Sequence, residues 1–117
     1  MDYKRAVLRE AYEETNVCFE IDRLVFLHEN FFVSDFNGNK PFHEISMFYL
    51  MKPSADTNNI VCHSMGADGA AESLHWLPMD QLSSYTVFPA FFQTGLRPIQ
   101  NEFGHFITKD GHTYRTV

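Results

Sequence analysis

The most informative segment of the chain is Arg9-Glu10-Ala11-Tyr12-Glu13-Glu14-Thr15-Asn16-Val17. As a helix, at about 100° per residue, it places Glu10, Glu13 and Glu14 within an arc of roughly 100°. Like charges three or four residues apart destabilise an isolated helix by about 0.2–0.5 kcal/mol per pair, and Arg9 can form only one compensating ion pair, with Glu13. Because carboxylate oxygens suit Mg²⁺ or Mn²⁺, this crowding predicts a divalent-cation site.

Local signals set the ends of this helix. Asp2 is a suitable N-cap, so the helix is predicted to run from Tyr3 to Thr15. Asn16 precedes an apolar, β-prone run and is, after Gly, the residue best suited to the left-handed conformation that closes many helices. Glu13 and Glu14 therefore lie in the last turn, where the helix dipole favours basic residues. Such a conflict with local preference often marks a functional site.

Two segments resemble parts of a known family. The first is similar to the second half of the Nudix box, whose pattern is Arg-Glu, an apolar residue, any residue, Glu-Glu, any residue, Gly and an apolar residue. The residues that match in register are Arg9, Glu10, Ala11, Glu13, Glu14 and Val17, and Asn16 stands at the Gly position. The second segment, 74–82, reads Leu-His-Trp-Leu-Pro-Met-Asp-Gln-Leu. It resembles a Nudix stretch in which a strand bearing Trp leads into Pro and a short helix ending in Leu.

The resemblance implies an α/β fold, a Nudix-like α/β/α sandwich with a mixed sheet. In the family a Glu stands eight positions before the Arg of the box, and this position is occupied here by Met1. We therefore expect residues 1–117 to form a single Nudix-like domain that is incomplete at its N-terminus and lacks the N-terminal strands. A start codon placed too late, a truncated product and a natural short form remain open as explanations.

The resemblance also implies an activity, namely metal-dependent hydrolysis of a diphosphate linkage in a nucleoside diphosphate derivative. Glu10, Glu13 and Glu14 would then hold Mg²⁺ or Mn²⁺, and Arg9 would orient Glu13. Glu72, expected in a loop before the Trp strand, is the candidate general base, while the substrate-binding residues remain unknown. The alternative is a catalytically inactive Nudix-like domain that binds a nucleotide or a protein.

Strand patterns follow the first helix. An apolar run extends to Val33, and Asn37-Gly38 predicts a hairpin turn into a strand over 43–51. Asp110-Gly111 predicts a second hairpin, between strands at 106–109 and 112–115. A helix is predicted over 89–95, beginning at Pro and closing at Gly.

The composition of the chain disfavours some classes of binding partner. The net charge is −6 and the nine Lys and Arg residues are scattered, which disfavours nucleic acid and anionic membranes as partners. No signal peptide or membrane-length apolar run is visible, so a cytoplasmic location is the default expectation. The six histidines and two cysteines show no zinc-type spacing. The histidines are interpreted as structural or exposed, and the cysteines as ordinary reduced or buried thiols.

Aromatic residues are abundant, with twelve Phe, five Tyr and one Trp. Their number predicts an aromatic core and leaves a homodimer open, because a short chain can place part of such surface against a second subunit. Phe31, Phe32 and Phe36 could stack on a nucleobase but are interpreted as core residues.

Overall fold

The structure is a computed structural model that describes residues 2–34, 38–60, 63–65, 71–96 and 102–116; within these ranges the side chains of 58–59, 63–65, 71–73 and 94–95 are not described. The chain forms two compact units, residues 1–22 with 51–77 and residues 23–50 with 78–117. The helices and strands, in chain order, are α1 (Tyr3–Thr15), β1 (Ile21–Ser34), β2 (Lys40–Met51), β3 (His63–Met65), β4 (Ala71–Ser73), α2 (Phe92–Gly95), β5 (Gly104–Lys109) and β6 (His112–Arg115). Two short 3₁₀ helices span Ala55–Asn59 and Met79–Ser84.

Helix α1 has the predicted bounds and the predicted caps. The Asp2 carboxylate accepts a hydrogen bond from the Arg5 backbone N–H at 2.8 Å. Asn16 adopts the left-handed conformation with φ 60° and ψ 23°, and its N–H donates to the Tyr12 carbonyl at 2.7 Å. Since the caps satisfy backbone groups that a helix end leaves without partners, these two residues fix where the helix begins and ends.

Strands β2, β1, β5 and β6 form a four-stranded sheet in that order. β5 runs parallel to β1, with Phe26 opposite Gly104 and Phe31 opposite Lys109, and β6 runs antiparallel to β5. Phe32 stacks on Phe42 across the short connection between β1 and β2, as expected for an antiparallel hairpin. The sheet is therefore mixed, and the α/β fold class predicted from the sequence is confirmed.

Turn chemistry explains the β5–β6 hairpin. Asp110 and Gly111 have φ of 52° and 79°, so both central residues of the β5–β6 turn lie in the region that a type I′ turn requires. The β5–β6 hairpin is confirmed. Among the described residues between β1 and β2, Gly38 and Asn39 have positive φ. Asn37 lies outside the described residues, so the Asn37-Gly38 turn stays a prediction.

Aromatic side chains form the core of the second unit. Phe26 is 5% exposed and packs its ring against three others at centroid distances of 5.5–6.0 Å, namely those of Phe91, Phe92 and Phe106. A Cβ added at Gly104 would lie 2.9 Å from the Phe106 ring, so glycine is required where these rings meet β5. The aromatic core is thus confirmed, and it anchors α2 to the sheet.

Three expectations need correction. Phe31 and Phe32 are 38% and 39% exposed, so their interpretation as core residues is wrong; Phe36 lies outside the described residues. The Trp76 segment is not a strand, because β4 ends at Ser73 and the following 3₁₀ helix begins only at Met79. Helix α2 begins at Phe92, three residues after the predicted Pro89.

Candidate functional site

The three candidate metal ligands lie on the exposed side of α1. Glu10, Glu13 and Glu14 are all exposed, whereas Leu8, Ala11 and Thr15 on the other side of the helix are half-buried. The separation follows from helical periodicity, because residues three, four and seven apart share a face. The helix therefore presents its carboxylates to solvent while its apolar stripe is partly covered.

Arg9 and Glu13 form the ion pair that their spacing predicts. Arg9 Nε lies 3.6 Å from Glu13 Oε1, and the two side chains are 54% and 62% exposed. Among the described residues no ion pair joins Glu10 or Glu14 to a basic side chain. The pair thus restrains one of the three carboxylates, and at this exposure it adds little to stability.

The acids suit a divalent cation by their chemistry. Within the described part of the chain, no three His, Cys, Asp or Glu side chains are already gathered closely enough to enclose a metal ion. Mg²⁺ does not require such a cage, since it is commonly held by one or two carboxylates together with waters and substrate phosphates. Exposed Glu side chains can turn toward a common ion without repacking, so this donor set fits a hydrated Mg²⁺ or Mn²⁺.

Glu72 lies in β4, opposite Ser64 of β3, rather than in the loop expected from the sequence. Its side chain is not described, so its assignment as general base stays a prediction. The strand ends one residue later, and the chain then continues into the irregular segment that carries Trp76.

A cavity of about 200 Å³ opens beside the C-terminal end of α1, within the first unit. The described residues that line it are Thr15, Ile60, Leu74, His75 and Trp76. The Thr15 hydroxyl donates to the Ala11 carbonyl at 2.6 Å and accepts from the Val17 N–H at 3.2 Å. Thr15 is thereby fixed in the lining of the cavity, directly after Glu14 in the chain.

A separate carboxylate–imidazole cluster joins three strands of the second unit. His105 Nε2 donates to Glu29 Oε2 at 2.6 Å, and His43 Nε2 donates to Glu29 Oε1 at 2.9 Å. The His105 hydrogen bond is the largest cause that lowers the pKa of Glu29 below its ordinary 4.5, against an opposing contribution from partial burial. Sequence reasoning missed this cluster, because the partners are 14 and 76 residues from Glu29 and only the strand register brings them together.

His28 lies on the opposite face of β1. It is 6% exposed, and its Nε2 shares a hydrogen bond with Thr108 Oγ1 at 2.8 Å. Burial lowers the pKa of His28 below 6.5, and the Glu44 carboxylate partly opposes this. Both residues line a cavity of about 470 Å³ together with Asn30, Ser46 and Thr113. The sequence did not single His28 out, although its position in an apolar run indicated burial.

Comparison with known proteins gives one family. A family model described as the NUDIX domain matches residues 2–100. A search of curated proteins gave no match. The matched range includes the acidic helix, the Trp76 segment and α2, so it contains both stretches on which the resemblance rests.

Proposed function

Because the chain belongs to the Nudix family, we propose that it is a metal-dependent hydrolase that cleaves a diphosphate linkage in a nucleoside diphosphate derivative. The family match over residues 2–100 supports hydrolysis of nucleoside diphosphate-type substrates in general, and Nudix proteins generally use divalent cations. The observation that carries the proposal for this chain is the exposed carboxylate face of α1, with Arg9 paired to Glu13 at 3.6 Å.

In this proposal Glu10, Glu13 and Glu14 hold Mg²⁺ or Mn²⁺. When bound, the ion supplies charge neutralisation at the diphosphate and activation of the attacking water. The carboxylates bind from the solvent side of α1, where a phosphorylated substrate can approach without displacing packed side chains. The acidic protein surface does not prevent this approach, because the cation offsets the repulsion between carboxylates and phosphates.

Arg9 and Glu72 have supporting roles in the proposed site. Arg9 is a positioning residue that holds one oxygen of Glu13, so that the orientation of this ligand is fixed before the metal binds. Glu72 is proposed as the general base that takes the proton of the attacking water. Its support is its place in the chain, since β4 leads directly into the segment that lines the cavity beside α1.

The test is formation of the nucleoside monophosphate from a panel of nucleoside diphosphate derivatives, each assayed with Mg²⁺, with Mn²⁺ and with chelator. The active chain should require the metal, and Glu13→Gln and Glu14→Gln should lose turnover while remaining folded. Glu102→Gln is the matched control, because Glu102 is an exposed acid outside α1. Absence of turnover on every substrate, or equal activity of all four proteins, would refute the proposal.

The second candidate is a catalytically inactive Nudix-like domain that binds a nucleotide or a protein. It is favoured by the absence, among the described residues, of three metal-ligating side chains that already converge. Calorimetric titration with substrate analogues separates the two. Binding without metal-dependent turnover supports the inactive domain, whereas turnover that depends on Glu13 supports the hydrolase.

The remaining expectations concern partners and location. Within the ranges that the structure describes, no helix has the length and apolar character needed to cross a bilayer. We propose a cytoplasmic protein that binds a small molecule, binds neither nucleic acid nor membranes, and forms a homodimer through exposed aromatic surface such as Phe31, Phe32 and Phe42. Sedimentation equilibrium tests the assembly, since a strictly monomeric chain would contradict it.

A further inference from the structure

The cavity of about 470 Å³ in the second unit lies on the sheet face that carries His28. Its floor consists of alternate residues of four neighbouring strands, because side chains two positions apart on a strand lie on the same face. They are His28 and Asn30 of β1, Glu44, Ser46 and Phe48 of β2, Thr108 of β5 and Thr113 of β6. Asn30 lies opposite Thr108, and Thr108 lies opposite Thr113. The strand register therefore fixes the floor of the cavity.

The chain that leads into α2 forms one wall of the same cavity. Phe88, Pro89 and Ala90 line it, and the Pro89 carbonyl accepts a hydrogen bond from the Phe92 N–H at 3.0 Å. The Phe92 ring in turn meets the ring of Phe48 on the floor at a centroid distance of 5.0 Å. The wall is thus tied to the floor through α2, while the Phe88 side chain is 84% exposed.

The size and the lining fit a small organic molecule. The volume of about 470 Å³ falls within the ~300–1,000 Å³ typical of ligand pockets, which combine apolar walls with a few polar groups that orient the ligand. A bare ion would leave the rings of Phe48 and Phe88 in contact with water. A ligand with both a polar and an apolar part would contact both kinds of lining.

The charge of the described lining favours a cation. Glu44 is its one acid, and it contains no Lys or Arg. His28 supplies no positive charge near neutral pH, because burial lowers its pKa below 6.5. Among the described residues, no ion pair joins Glu44 to a basic side chain. The cavity should therefore repel phosphates and carboxylates and attract a positively charged group.

The hydrogen-bonding groups of the lining favour a cation with several N–H donors. The Thr108 hydroxyl already bonds to His28 Nε2 at 2.8 Å and to the Thr113 hydroxyl at 2.7 Å. The described lining then offers a ligand the carboxylate of Glu44, the amide oxygen of Asn30 and the hydroxyl of Ser46. A primary ammonium group has three N–H donors and no acceptor, so it matches such a set of oxygens. A quaternary ammonium group has no N–H to donate.

We propose that this cavity binds a small organic cation in which a primary ammonium group is attached to an apolar body. The ammonium group donates to Glu44, Asn30 and Ser46, and the apolar body contacts the rings of Phe48 and Phe88. The proposal goes beyond the hydrolase activity and does not depend on it. All of the described lining belongs to the second unit, whereas the acids of α1 belong to the first, and binding requires neither metal nor turnover.

Three probes of similar size and different charge test the proposal. Near pH 7 phenethylamine is a cation, 2-phenylethanol is neutral and phenylacetate is an anion, and each is titrated by calorimetry with chelator present. Phenethylamine should bind about ten-fold more tightly than 2-phenylethanol, because charge-assisted hydrogen bonds are the stronger ones, and phenylacetate should not bind. Added salt should weaken the binding of phenethylamine. Equal binding of the cation and the anion, no binding of the cation, or competition between AMP and phenethylamine would overturn the proposal.

Variants test the role of the carboxylate. Glu44→Gln should raise the Kd for phenethylamine about ten-fold, to that of 2-phenylethanol. Glu102→Gln is the matched control, because Glu102 is an exposed acid of the same unit outside the described lining. Asn30→Asp adds a second carboxylate and should lower the Kd for phenethylamine, a gain that misfolding cannot produce. Glu44 is exposed, so its replacement should leave the fold intact, which circular dichroism verifies. Equal affinities of Glu44→Gln and Glu102→Gln for phenethylamine would overturn the proposal.

Discussion

Glu13 on α1 and Glu29 on β1 are carboxylates in opposite situations. Glu13 is 62% exposed and has one ion pair, at 3.6 Å from Arg9. Glu29 is 21% exposed and accepts hydrogen bonds on both oxygens, at 2.6 and 2.9 Å. A carboxylate whose oxygens are occupied by protein donors connects strands, whereas one with remaining acceptor capacity can bind a cation. The comparison separates a structural acid from a ligand-binding one within the same chain.

The surroundings of the two acids differ in the same way. β1 contributes the buried Val25 and Phe26 to the core of the second unit, while α1 contains no fully buried residue. The strand is therefore held by packing, and the helix by its caps and a half-buried stripe. We expect substitutions in β1 to act on stability and those on the acidic face of α1 to act on activity.

The largest expected effect is on stability, at Phe26. Phe26→Ala removes a ring that packs against three others and should lower the free energy of unfolding by about 3–5 kcal/mol. Leu8→Ala, at a half-buried position of α1, is the control and should cost about 1 kcal/mol. Urea denaturation measures both, with Phe26→Leu as the milder variant if Phe26→Ala is unfolded. Equal losses at the two positions would contradict the contrast between strand and helix.

The second prediction compares the effects of replacing each of the two acids on metal-dependent turnover. Glu13→Gln should reduce metal-dependent turnover about 100-fold or more, equivalent to about 2.7 kcal/mol at 1.36 kcal/mol per tenfold, because a ligand of the ion loses its charge. Glu29→Gln should leave the dependence on Mg²⁺ concentration unchanged, since both oxygens of Glu29 already have protein partners. Turnover at saturating substrate against Mg²⁺ concentration checks both. A larger effect of Glu29→Gln than of Glu13→Gln on metal-dependent turnover would show that the candidate site was assigned to the wrong carboxylate.

The third prediction concerns acid stability. Because the pKa of Glu29 is lower in the folded protein than its ordinary 4.5, the unfolded chain binds the proton more readily at acid pH. Glu29 therefore contributes stability above pH 4.5, and this is lost as the pH falls through its folded pKa. Glu29→Gln should flatten the acid side of the stability profile, measured by urea denaturation from pH 7 to pH 3. The prediction would be contradicted if Glu29→Gln left the acid slope of the stability profile unaltered and Glu14→Gln removed that slope.

Local chemistry made half of this comparison predictable from the sequence. The bounds of α1 follow from Asp2 and Asn16, and the Arg9–Glu13 pair follows from a spacing of four. The β5–β6 turn likewise follows from Asp110-Gly111. Each of these features depends on residues within a few positions of one another, so no knowledge of strand order is needed.

The other half depends on strand register. Glu29 meets His105 because β1 pairs in parallel with β5, and no local pattern encodes that alignment. The exposure of Phe31 and Phe32 follows similarly from where the strand passes beyond the aromatic core, a position that residue type alone does not indicate. For Glu72, the order of segments along the chain predicted a candidate role. Its position in a strand could not be predicted, because it depends on the pairing of β3 with β4.

The smallest expected effect is at Arg9 and tests whether the Glu13 ion pair has a role other than stability. At 54% and 62% exposure the pair should contribute only about 0.2–0.5 kcal/mol, so Arg9→Gln should scarcely change urea denaturation. If Arg9 positions Glu13, the same substitution should weaken Mg²⁺ activation about 10-fold, and Arg9→Lys should recover part of it. Arg5→Gln is the matched control, because Arg5 pairs with Asp2 outside the acidic face. Equal Mg²⁺ activation of Arg9→Gln and Arg5→Gln would show that the Arg9–Glu13 pair is an ordinary surface contact. Glu13 would then resemble Glu10 and Glu14, whose carboxylates have no basic partner among the described residues.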